Sequence, residues 1–353
     1  MAATRPSVEG MRAWRLDGTL TFGDVPDPEP PDGAVVVRLH AAPVLSYLRE
    51  YVAGKLGHYH PPTGPFTPGT SGVGVVERVG RGVFTLTPGQ PVLVTGNYTA
   101  AENVPEPARG LIGLTSEFAA VRDTWRDGTL AEKVVAPAPT VTPVPAGLGD
   151  VVAVTRCLVP YGGLLRGRLA PGETVVVNGA TGAFGSAGVQ VATALGARRV
   201  VAAGRNPAVL ARLAARERVV PVRLTGSVPA DADALRAAAG GPVDLALDLV
   251  GGATTPDSTL AALAALRRAG RLVLMGSTSA PLPLDYTALM LAGTEVIGNF
   301  MYPDDAPARL LNLVSAALLD LAALPVASFP LADLPAAMDA AAEPGAPLVV
   351  VTM

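Results

Sequence analysis

Apolar residues in the second half of the chain fall into short runs separated by amphipathic stretches. The runs are rich in β-branched residues and do not alternate with polar ones, as expected for strands buried on both faces of a parallel sheet. Strands that alternate with helical stretches favour a doubly wound α/β fold. We predict six parallel strands, at Val175, Val200, Val219, 243–250, 272–275 and 296–300.

The first part of the chain has a different pattern. From residue 11 to about 145, short β-like runs are broken by Pro and Gly, which is typical of a compact β-rich domain with one helical stretch at 45–55. After about residue 324 short β-like pieces return, notably 347–351, and we expect them to rejoin this domain. A chain of 353 residues also suits two cores better than one. The predicted domains are 1–145 with 325–353, and 146–324.

Residues 173–205 form the segment that carries most chemical information. They have the pattern strand, glycine turn, helix, strand, in the length that a dinucleotide-binding unit needs. The turn has the form Ala180-x-Gly182-x-x-Gly185, with Ala180 in place of the first glycine. Gly182 would let backbone approach a pyrophosphate, Gly185 would let the helix pack closely, and the helix N-terminus would direct free N–H groups at the anion. The predicted cofactor contacts here are Asn178, Ala180, Thr181, Gly182, Ala183, Phe184 and Gly185.

The end of the second strand indicates which cofactor is bound. An acidic residue about twenty positions after the glycines would favour NAD. This chain has Gly204-Arg205-Asn206 instead, which would place a guanidinium and an amide at the 2′-phosphate of NADPH. We therefore predict NADP (NADPH) as the cofactor. The alternative is that Arg205 is a solvated loop residue.

Composition narrows the class of protein. Apolar residues make up 49% of the chain and charged residues 16%, which favours large cores and argues against extended disorder. The net charge is −3 with no basic block, so we expect no nucleic-acid partner. Because no apolar run is long enough to span a bilayer and residues 1–10 have no signal-peptide core, we expect no membrane partner and a cytoplasmic enzyme.

Residues that could bind a metal are few. Cys157 is the single cysteine, so an internal disulfide and a cysteine-rich zinc cluster are excluded. The histidines are His40, His58 and His60. His58-x-His60 lies in a proline-flanked turn with no acidic or thiol residue nearby, so we predict no metal site.

Several segments carry a family pattern: 36–39 leading into 45–47, 67–80 (TPGTSGVGVVERVG), 88–92, 161–163 and the glycine turn. Together they resemble the medium-chain dehydrogenase/reductase superfamily and, within it, the zinc-independent quinone oxidoreductase-like branch. The resemblance covers nearly the whole chain. It implies a GroES-like β-rich catalytic domain and a Rossmann cofactor domain, with a cleft to which the first contributes Tyr47.

The departures from the zinc alcohol dehydrogenases of that superfamily concern the metal ligands. Those enzymes carry Gly-His-Glu where this chain has Gly69-Thr70-Ser71, and a hydroxyl cannot replace the imidazole as a zinc ligand here. Leu45 aligns with their first cysteine ligand, and the third aligns with about Thr155, two residues from Cys157. Residues 96–109 stand where those enzymes have a four-cysteine lobe. The resemblance therefore implies an enzyme without zinc.

Without zinc, a hydrogen-bond donor must meet the substrate oxygen. Hydride from a nicotinamide can add to a carbonyl carbon or to the β-carbon of an enone or quinone, and in both cases negative charge develops on oxygen. Tyr47 falls where the zinc enzymes place a proton-relay hydroxyl, so it is the predicted hydrogen-bond donor or general acid. The alternative is that Tyr47 packs beside Tyr51, one helical turn later.

Further site residues follow from the resemblance. Tyr161 would shape the pocket, donate to the carboxamide or pack in the core, and Met275-Gly276-Ser277 resembles the family's backbone contact with nicotinamide. Residues 299–302 would lie beside the substrate cleft and the dimer seam. An aromatic lining indicates an apolar or aromatic substrate. The predicted pocket residues are Tyr51, Phe300, Met301 and Tyr302.

These features predict an NADPH-dependent, zinc-independent oxidoreductase that acts on an enone, quinone or carbonyl of a hydrophobic small molecule. One alternative is a zinc-independent ketone reductase or secondary alcohol dehydrogenase. Another, from a different class, is a non-catalytic NADPH-binding redox sensor. The sixth strand would be an exposed edge in a monomer, so we expect a homodimer.

Overall fold

The computed structural model describes residues 10–353. Residues 1–9, on which the expectation of no signal peptide depends, lie outside the described residues. The chain divides into two compact units: unit 1 runs to Thr155 and includes Pro325–Glu343 and Pro347–Met353, and unit 2 comprises Arg156–Leu324 and Pro344–Ala346. The division after Thr155 lies ten residues beyond the predicted boundary at 145.

The regular elements follow one another in this order. The strands are β1 (Gly10–Asp17), β2 (Thr19–Pro26), β3 (Ala34–Pro43), β4 (Ser71–Val79), β5 (Pro91–Thr95), β6 (Asn97–Thr99), β7 (Arg109–Leu111), β8 (Lys133–Pro137), β9 (Val141–Pro143), β10 (Thr174–Asn178), β11 (Arg199–Gly204), β12 (Val219–Arg223), β13 (Val243–Asp248), β14 (Leu266–Leu274), β15 (Glu295–Gly298), β16 (Val326–Pro330) and β17 (Leu348–Thr352). The α-helices are α1 (Leu48–Val52), α2 (Ala119–Thr124), α3 (Val154–Arg166), α4 (Ala183–Ala194), α5 (Pro207–Ala214), α6 (Val228–Ala239), α7 (Asp257–Ala265), α8 (Tyr286–Ala292), α9 (Ala306–Ser315) and α10 (Leu334–Ala342).

Unit 1 is built around one mainly antiparallel sheet. Its strands lie in the order β16-β17-β3-β4-β5-β9, and β8 also pairs with β3. Val35, Val37 and Leu39 of β3 share one face of the strand and pack into a buried cluster with residues of the neighbouring strands. The C-terminal strand β17 pairs with β3, with Val351 opposite Ala42, as the sequence pattern predicts.

Unit 2 contains a six-stranded parallel sheet in the order β12-β11-β10-β13-β14-β15. Val175, Val176 and Val177 of β10 are fully buried, which explains the uninterrupted apolar run in the sequence. The chain order reverses between β10 and β13, and ligands of doubly wound sheets bind at the carboxyl ends of strands beside such a point. The predicted α/β fold class is confirmed.

The helix predicted at 45–55 is shorter than expected. Only Leu48–Val52 is helical, because Tyr47 has φ −106° and ψ 13° and Gly54 reverses the chain with φ +68°. Tyr47 therefore precedes the helix rather than lying on it.

Within residues 10–353, no helix combines the length and the apolar character needed to cross a membrane.

Candidate cofactor and proton-donor sites

The glycine turn joins β10 to α4 in unit 2. Gly179 reverses the chain with φ +82°, and the Gly182 N–H donates to the Gly179 carbonyl over 2.9 Å. Gly182 is the N-cap of α4 and offers no side-chain acceptor to the first N–H groups of the helix. Such groups and the positive end of the helix dipole favour an anion.

The two glycines of the turn have different environments. A Cβ on Gly185 would lie 2.0 Å from the Gly179 carbonyl oxygen and 2.7 Å from the Ala180 Cα, so this position requires glycine for packing. A Cβ on the exposed Gly182 would meet one atom within 4 Å, the Gly179 oxygen at 3.3 Å. The missing side chain at Gly182 leaves space on the outer side of the turn, where a ligand can approach the backbone.

Two of the predicted cofactor residues are committed to the interior of unit 2. Asn178 is 1% exposed, and its Nδ2 donates to Asp248 Oδ1 over 3.3 Å. Burial raises the pKa of Asp248, while hydrogen bonds from Thr259 and the Val250 N–H oppose that rise. Ala180 is fully buried and its N–H donates to the Ala203 carbonyl. Asn178 and Ala180 thus join the strands, and the predicted side-chain contact from Asn178 is corrected to a structural role.

The residues that follow β11 are the candidates for the 2′-phosphate. Gly204 packs against the Thr181 side chain. A Cβ at position 204 would lie 2.5 Å from the Thr181 Cγ2, so there is no room for a larger residue. The Asn206 side chain caps α5, because its Oδ1 accepts from the N–H groups of Ala208 and Val209 at 3.1 and 3.3 Å. These bonds use only the amide oxygen, so the contact predicted between the Asn206 amide N–H groups and the 2′-phosphate stays a prediction. Arg205 is exposed, and among residues 10–353 its guanidinium has no hydrogen-bond or ion-pair partner.

Gly276 lies just after β14 and packs against the neighbouring chain segment. A Cβ at this position would lie 2.1 Å from the carbonyl oxygen of Val250, so packing against the segment after β13 already requires glycine here, and the predicted contact of its backbone with nicotinamide stays a prediction. The Ser277 N–H donates to the same oxygen over 3.1 Å, and the Ser277 side chain is exposed. Ser277 remains accessible at the carboxyl edge of the sheet.

Two of the predicted aromatic site residues of unit 2, Tyr161 and Tyr302, are packed in its interior. Tyr161 on α3 is 2% exposed, and the Arg309 guanidinium lies 5.7 Å from its ring centre. Burial raises the pKa of Tyr161, and Arg309 opposes the rise. Tyr302 is also buried, and its Cα would lie 2.8 Å from a Cβ on Gly162. Phe300, by contrast, is 65% exposed and Met301 is half-buried, so these two predicted pocket residues of the segment stay accessible.

Three tyrosines form a cluster in unit 1. The Tyr59 ring centre lies 6.1 Å from that of Tyr47 and 5.7 Å from that of Tyr51. Burial raises the pKa of Tyr47 well above its ordinary value, and Tyr59 raises it further by charge and by a hydrogen bond. Tyr47 is therefore protonated over the whole neutral range and can donate. The sequence analysis missed Tyr59 because it lies in an irregular loop with no periodic pattern.

Tyr51 does not have the environment of a pocket residue. It is 6% exposed, and its hydroxyl donates to the Leu114 carbonyl inside unit 1. Burial raises its pKa as well. The prediction of Tyr51 as a pocket residue is therefore corrected to a packing role.

The residues at the positions of the zinc ligands do not fit a catalytic zinc site. Thr70 presents a hydroxyl, and the buried Thr155 donates its hydroxyl to the Val152 carbonyl over 2.6 Å. Cys157 is fully buried, and burial raises its pKa to about 12, which keeps the thiol neutral. Within residues 10–353 there is no group of three or more His, Cys, Asp or Glu side chains that could hold a metal ion.

Two family models match the chain. The alcohol dehydrogenase GroES-like domain matches residues 31–146, in unit 1. The zinc-binding dehydrogenase domain matches residues 183–316, in unit 2. The second match includes the glycine turn from Ala183 onward and Arg205.

Curated relatives include enzymes that differ in substrate. An acryloyl-coenzyme A reductase of Metallosphaera sedula is 31% identical over 187 residues, which cover 50% of this chain and 53% of the relative. Quinone oxidoreductase-like protein 2 of Mus musculus is 32% identical over 214 residues, covering 60% and 52%. The chain thus spans about half the length of the curated relatives it matches.

Solved structures share the fold over its whole extent. A thermostable alcohol dehydrogenase from Pyrobaculum aerophilum with bound cobalt and zinc has a TM-score of 0.79 at 26% identity, covering 98% of this chain and all of that one. Two further structures with this fold, at 20% and 21% identity, contain NADH and NADP: an alcohol dehydrogenase from E. coli CFT073 and a zinc-binding dehydrogenase from Sinorhizobium meliloti, with TM-scores of 0.81 and 0.77. Both alignments include 98% of this chain; they include 99% of the E. coli protein and 100% of the S. meliloti protein.

Proposed function

Because this chain belongs to the medium-chain dehydrogenase/reductase superfamily, we propose that it is an NADPH-dependent oxidoreductase that works without zinc. Its substrate is an activated alkene or a carbonyl of a hydrophobic small molecule, to which NADPH supplies a hydride. One observation carries the proposal: the uncapped N-terminus of α4 at Gly182 and the unpartnered guanidinium of Arg205 lie at the carboxyl ends of adjacent strands.

The residues of the glycine turn fit the phosphates of the cofactor. The exposed backbone at Gly182 and the first N–H groups of α4 would hold the pyrophosphate, since they form an open anion site. Arg205 would bind the 2′-phosphate, because a guanidinium forms charge-assisted hydrogen bonds with phosphate oxygens. NAD-binding chains have an acidic residue at this position, where it binds the 2′-hydroxyl of the ribose. This chain has Arg205 instead, which supports NADPH over NADH.

Tyr47 would donate a hydrogen bond to the substrate oxygen as negative charge develops there. Its raised pKa keeps the phenol protonated, as a donor requires. Its neighbour Tyr59 limits the positions of the Tyr47 ring and hydroxyl. Zinc is not needed as a Lewis acid in this proposal, because the Tyr47 hydroxyl takes over the stabilisation of the substrate oxygen.

An activated alkene is the favoured target. Reduction of an enone or quinone spreads charge over a conjugated system, so it needs less electrophilic assistance than reduction of an isolated ketone. Relatives named as an acryloyl-coenzyme A reductase and a quinone oxidoreductase-like protein support this class. Relatives named as alcohol dehydrogenases support the alternative, a zinc-independent ketone reductase or secondary alcohol dehydrogenase.

The test compares NADPH and NADH consumption by the metal-stripped full chain with an aryl enone and the corresponding saturated aryl ketone. We expect turnover with NADPH and enone, with the saturated ketone as product. Turnover of the ketone alone, giving the alcohol, would move the protein to the alternative. Activity that appears only after zinc is restored, or with NADH in preference to NADPH, would overturn the proposal.

We further propose that the protein is a homodimer formed through the outer edge of the unit 2 sheet. β15 is the last strand of that sheet, and an unpaired edge invites pairing with a second chain. The neighbouring helix α8 has no buried residue and presents Tyr286 and Met290, which are 79% and 58% exposed. A dimer with a twofold axis at this edge would pair β15 with its copy and would also bury the exposed apolar side chains of α8.

The double substitution Tyr286→Asp and Met290→Asp is expected to convert the dimer to a monomer at micromolar concentration. Two charges would have to be buried without partners in the interface. Analytical ultracentrifugation measures the result. Phe84→Asp, on an exposed residue of unit 1, serves as a control that should leave the mass unchanged. A wild-type monomer, or a double variant that still dimerises with the same affinity, would contradict this interface.

A further inference from the structure

Arg223 leaves the sheet of unit 2 beside Arg205. β11 and β12 are adjacent parallel strands, and Gly204 is the register partner of Arg223. The Leu224 N–H donates to the Gly204 carbonyl over 2.9 Å, so the pairing continues one residue beyond β12. Because Arg205 follows Gly204 directly, both arginines lie at the same carboxyl edge, on neighbouring chain segments.

Neither arginine is neutralised within the described chain. Both are exposed, and neither guanidinium has a hydrogen bond or ion pair with any of residues 10–353. Other arginines between β11 and β12 do have partners: Arg216 donates to the Ala323 carbonyl and Arg218 to the Ala197 carbonyl. Two cations on paired strand ends repel each other, and an anion with more than one negative charge relieves that repulsion. A phosphate monoester has about −1.5 to −2 charges at neutral pH.

The backbone that carries Arg223 is fixed by its own loop. Asp231, which is 2% exposed, accepts hydrogen bonds from the Thr225 N–H and hydroxyl, both at 2.8 Å, and from the Gly226 N–H at 2.9 Å. These three bonds hold the Asp231 carboxylate in the turn, and it makes no hydrogen bond or ion pair with Arg223. The guanidinium extends from an ordered strand end, which lowers the entropy cost of holding a ligand.

We propose that Arg223 binds the 2′-phosphate of NADPH together with Arg205, and that both arginines are needed for discrimination against NADH. The inference rests on the proposed function, which requires NADPH but assigns its phosphate to Arg205 alone. The inference adds a second phosphate-binding residue, Arg223, which lies on a different strand. The spacing between the glycine turn and Arg205 does not reveal this residue.

The test is equilibrium binding of NADPH and NADH, measured by titration calorimetry on the full chain without substrate. Arg223→Ala, Arg205→Ala and the double variant are compared with wild type. Each single substitution is expected to weaken NADPH binding about 10- to 100-fold, as loss of charge-assisted hydrogen bonds does, with NADH binding unchanged. The dependence of NADPH binding on salt should also become weaker.

Arg166→Ala is the matched control. Arg166 is also exposed and without a partner among the described residues, but it ends α3, which leads into the opposite end of β10. This variant should bind both cofactors as wild type does. If Arg223→Ala leaves NADPH binding unchanged, or weakens NADH equally, the inference is wrong while the role of Arg205 stands. If wild type itself binds NADH as tightly as NADPH, the cofactor part of the proposed function fails, and the inference fails with it.

Discussion

Replacing Tyr47 by Phe is expected to lower the turnover number with NADPH and an enone by about 10²- to 10⁴-fold, the usual contribution of a positioned general acid. The substitution removes the hydroxyl and keeps the ring that contacts Tyr59. NADPH binding should be unchanged, since Tyr47 belongs to unit 1 and the glycine turn belongs to unit 2. Steady-state kinetics and cofactor titration measure the two effects separately.

The pH dependence provides a second readout for Tyr47. Burial raises its pKa well above 10, so the protonated donor persists as pH rises through 9 and is lost only beyond that. Turnover should therefore show no fall between pH 6 and 9 that depends on Tyr47. A fall in wild type within that range that disappears in Tyr47→Phe would contradict the raised pKa.

Tyr51→Phe is the control for the loss of a tyrosine hydroxyl. It leaves the buried Leu114 carbonyl without its donor and should reduce the free energy of unfolding by about 1–3 kcal/mol. The turnover number should remain near that of wild type, because the Tyr51 hydroxyl is committed to the interior. Equal kinetic losses in both variants would show that the Tyr47 effect is structural.

The sheet of unit 2 could be predicted from the sequence because its strands are buried on both faces. Val175 to Val177 and the apolar run of β13 contain few polar residues, so the existence of these strands and the parallel type of the sheet were accessible. The strand ends were not, since β13 stops at Asp248 although apolar residues continue to Val250. Asp248 is the last residue of β13, and its carboxylate accepts hydrogen bonds from the Thr259 hydroxyl and the Val250 N–H, which leave no periodic signal in the sequence.

The site was predicted less completely than the fold. Gly182 and Arg205 were found from sequence spacing alone, since one lies in the glycine turn and the other about twenty residues after it. Both are exposed in the structure. Asn206 has the same side chain that a phosphate site would use, but an amide followed by Pro207 is also a helix N-cap. Arg223 lies eighteen positions after Arg205, and only the strand register shows that the two are neighbours.

Gly185→Ala is expected to have the largest effect on stability of any substitution considered for the turn. The added Cβ would lie 2.0 Å from the Gly179 carbonyl oxygen, and the atoms it meets are backbone, which cannot rotate away as a side chain can. Forcing such contacts costs about 3 kcal/mol or more. For a unit of this size that corresponds to a decrease in Tm of about 6–12 °C, which differential scanning calorimetry can measure.

Gly182→Ala separates the ligand role of the turn from its packing role. Gly182 has φ −86°, which alanine adopts freely, and its added Cβ would contact only the Gly179 oxygen at 3.3 Å. We expect the Tm to fall by about 2–4 °C, because alanine is a poorer N-cap than glycine by about 1 kcal/mol. NADPH binding should nevertheless weaken at least about 10-fold, because the methyl group lies on the outer side of the turn.

A Gly182→Ala variant with wild-type NADPH affinity would mean that the pyrophosphate does not approach this backbone. A Gly185→Ala variant with wild-type Tm would mean that α4 does not pack against Gly179. Since the two positions are three residues apart on the same turn, opposite outcomes at them would assign close packing to one glycine and ligand contact to the other.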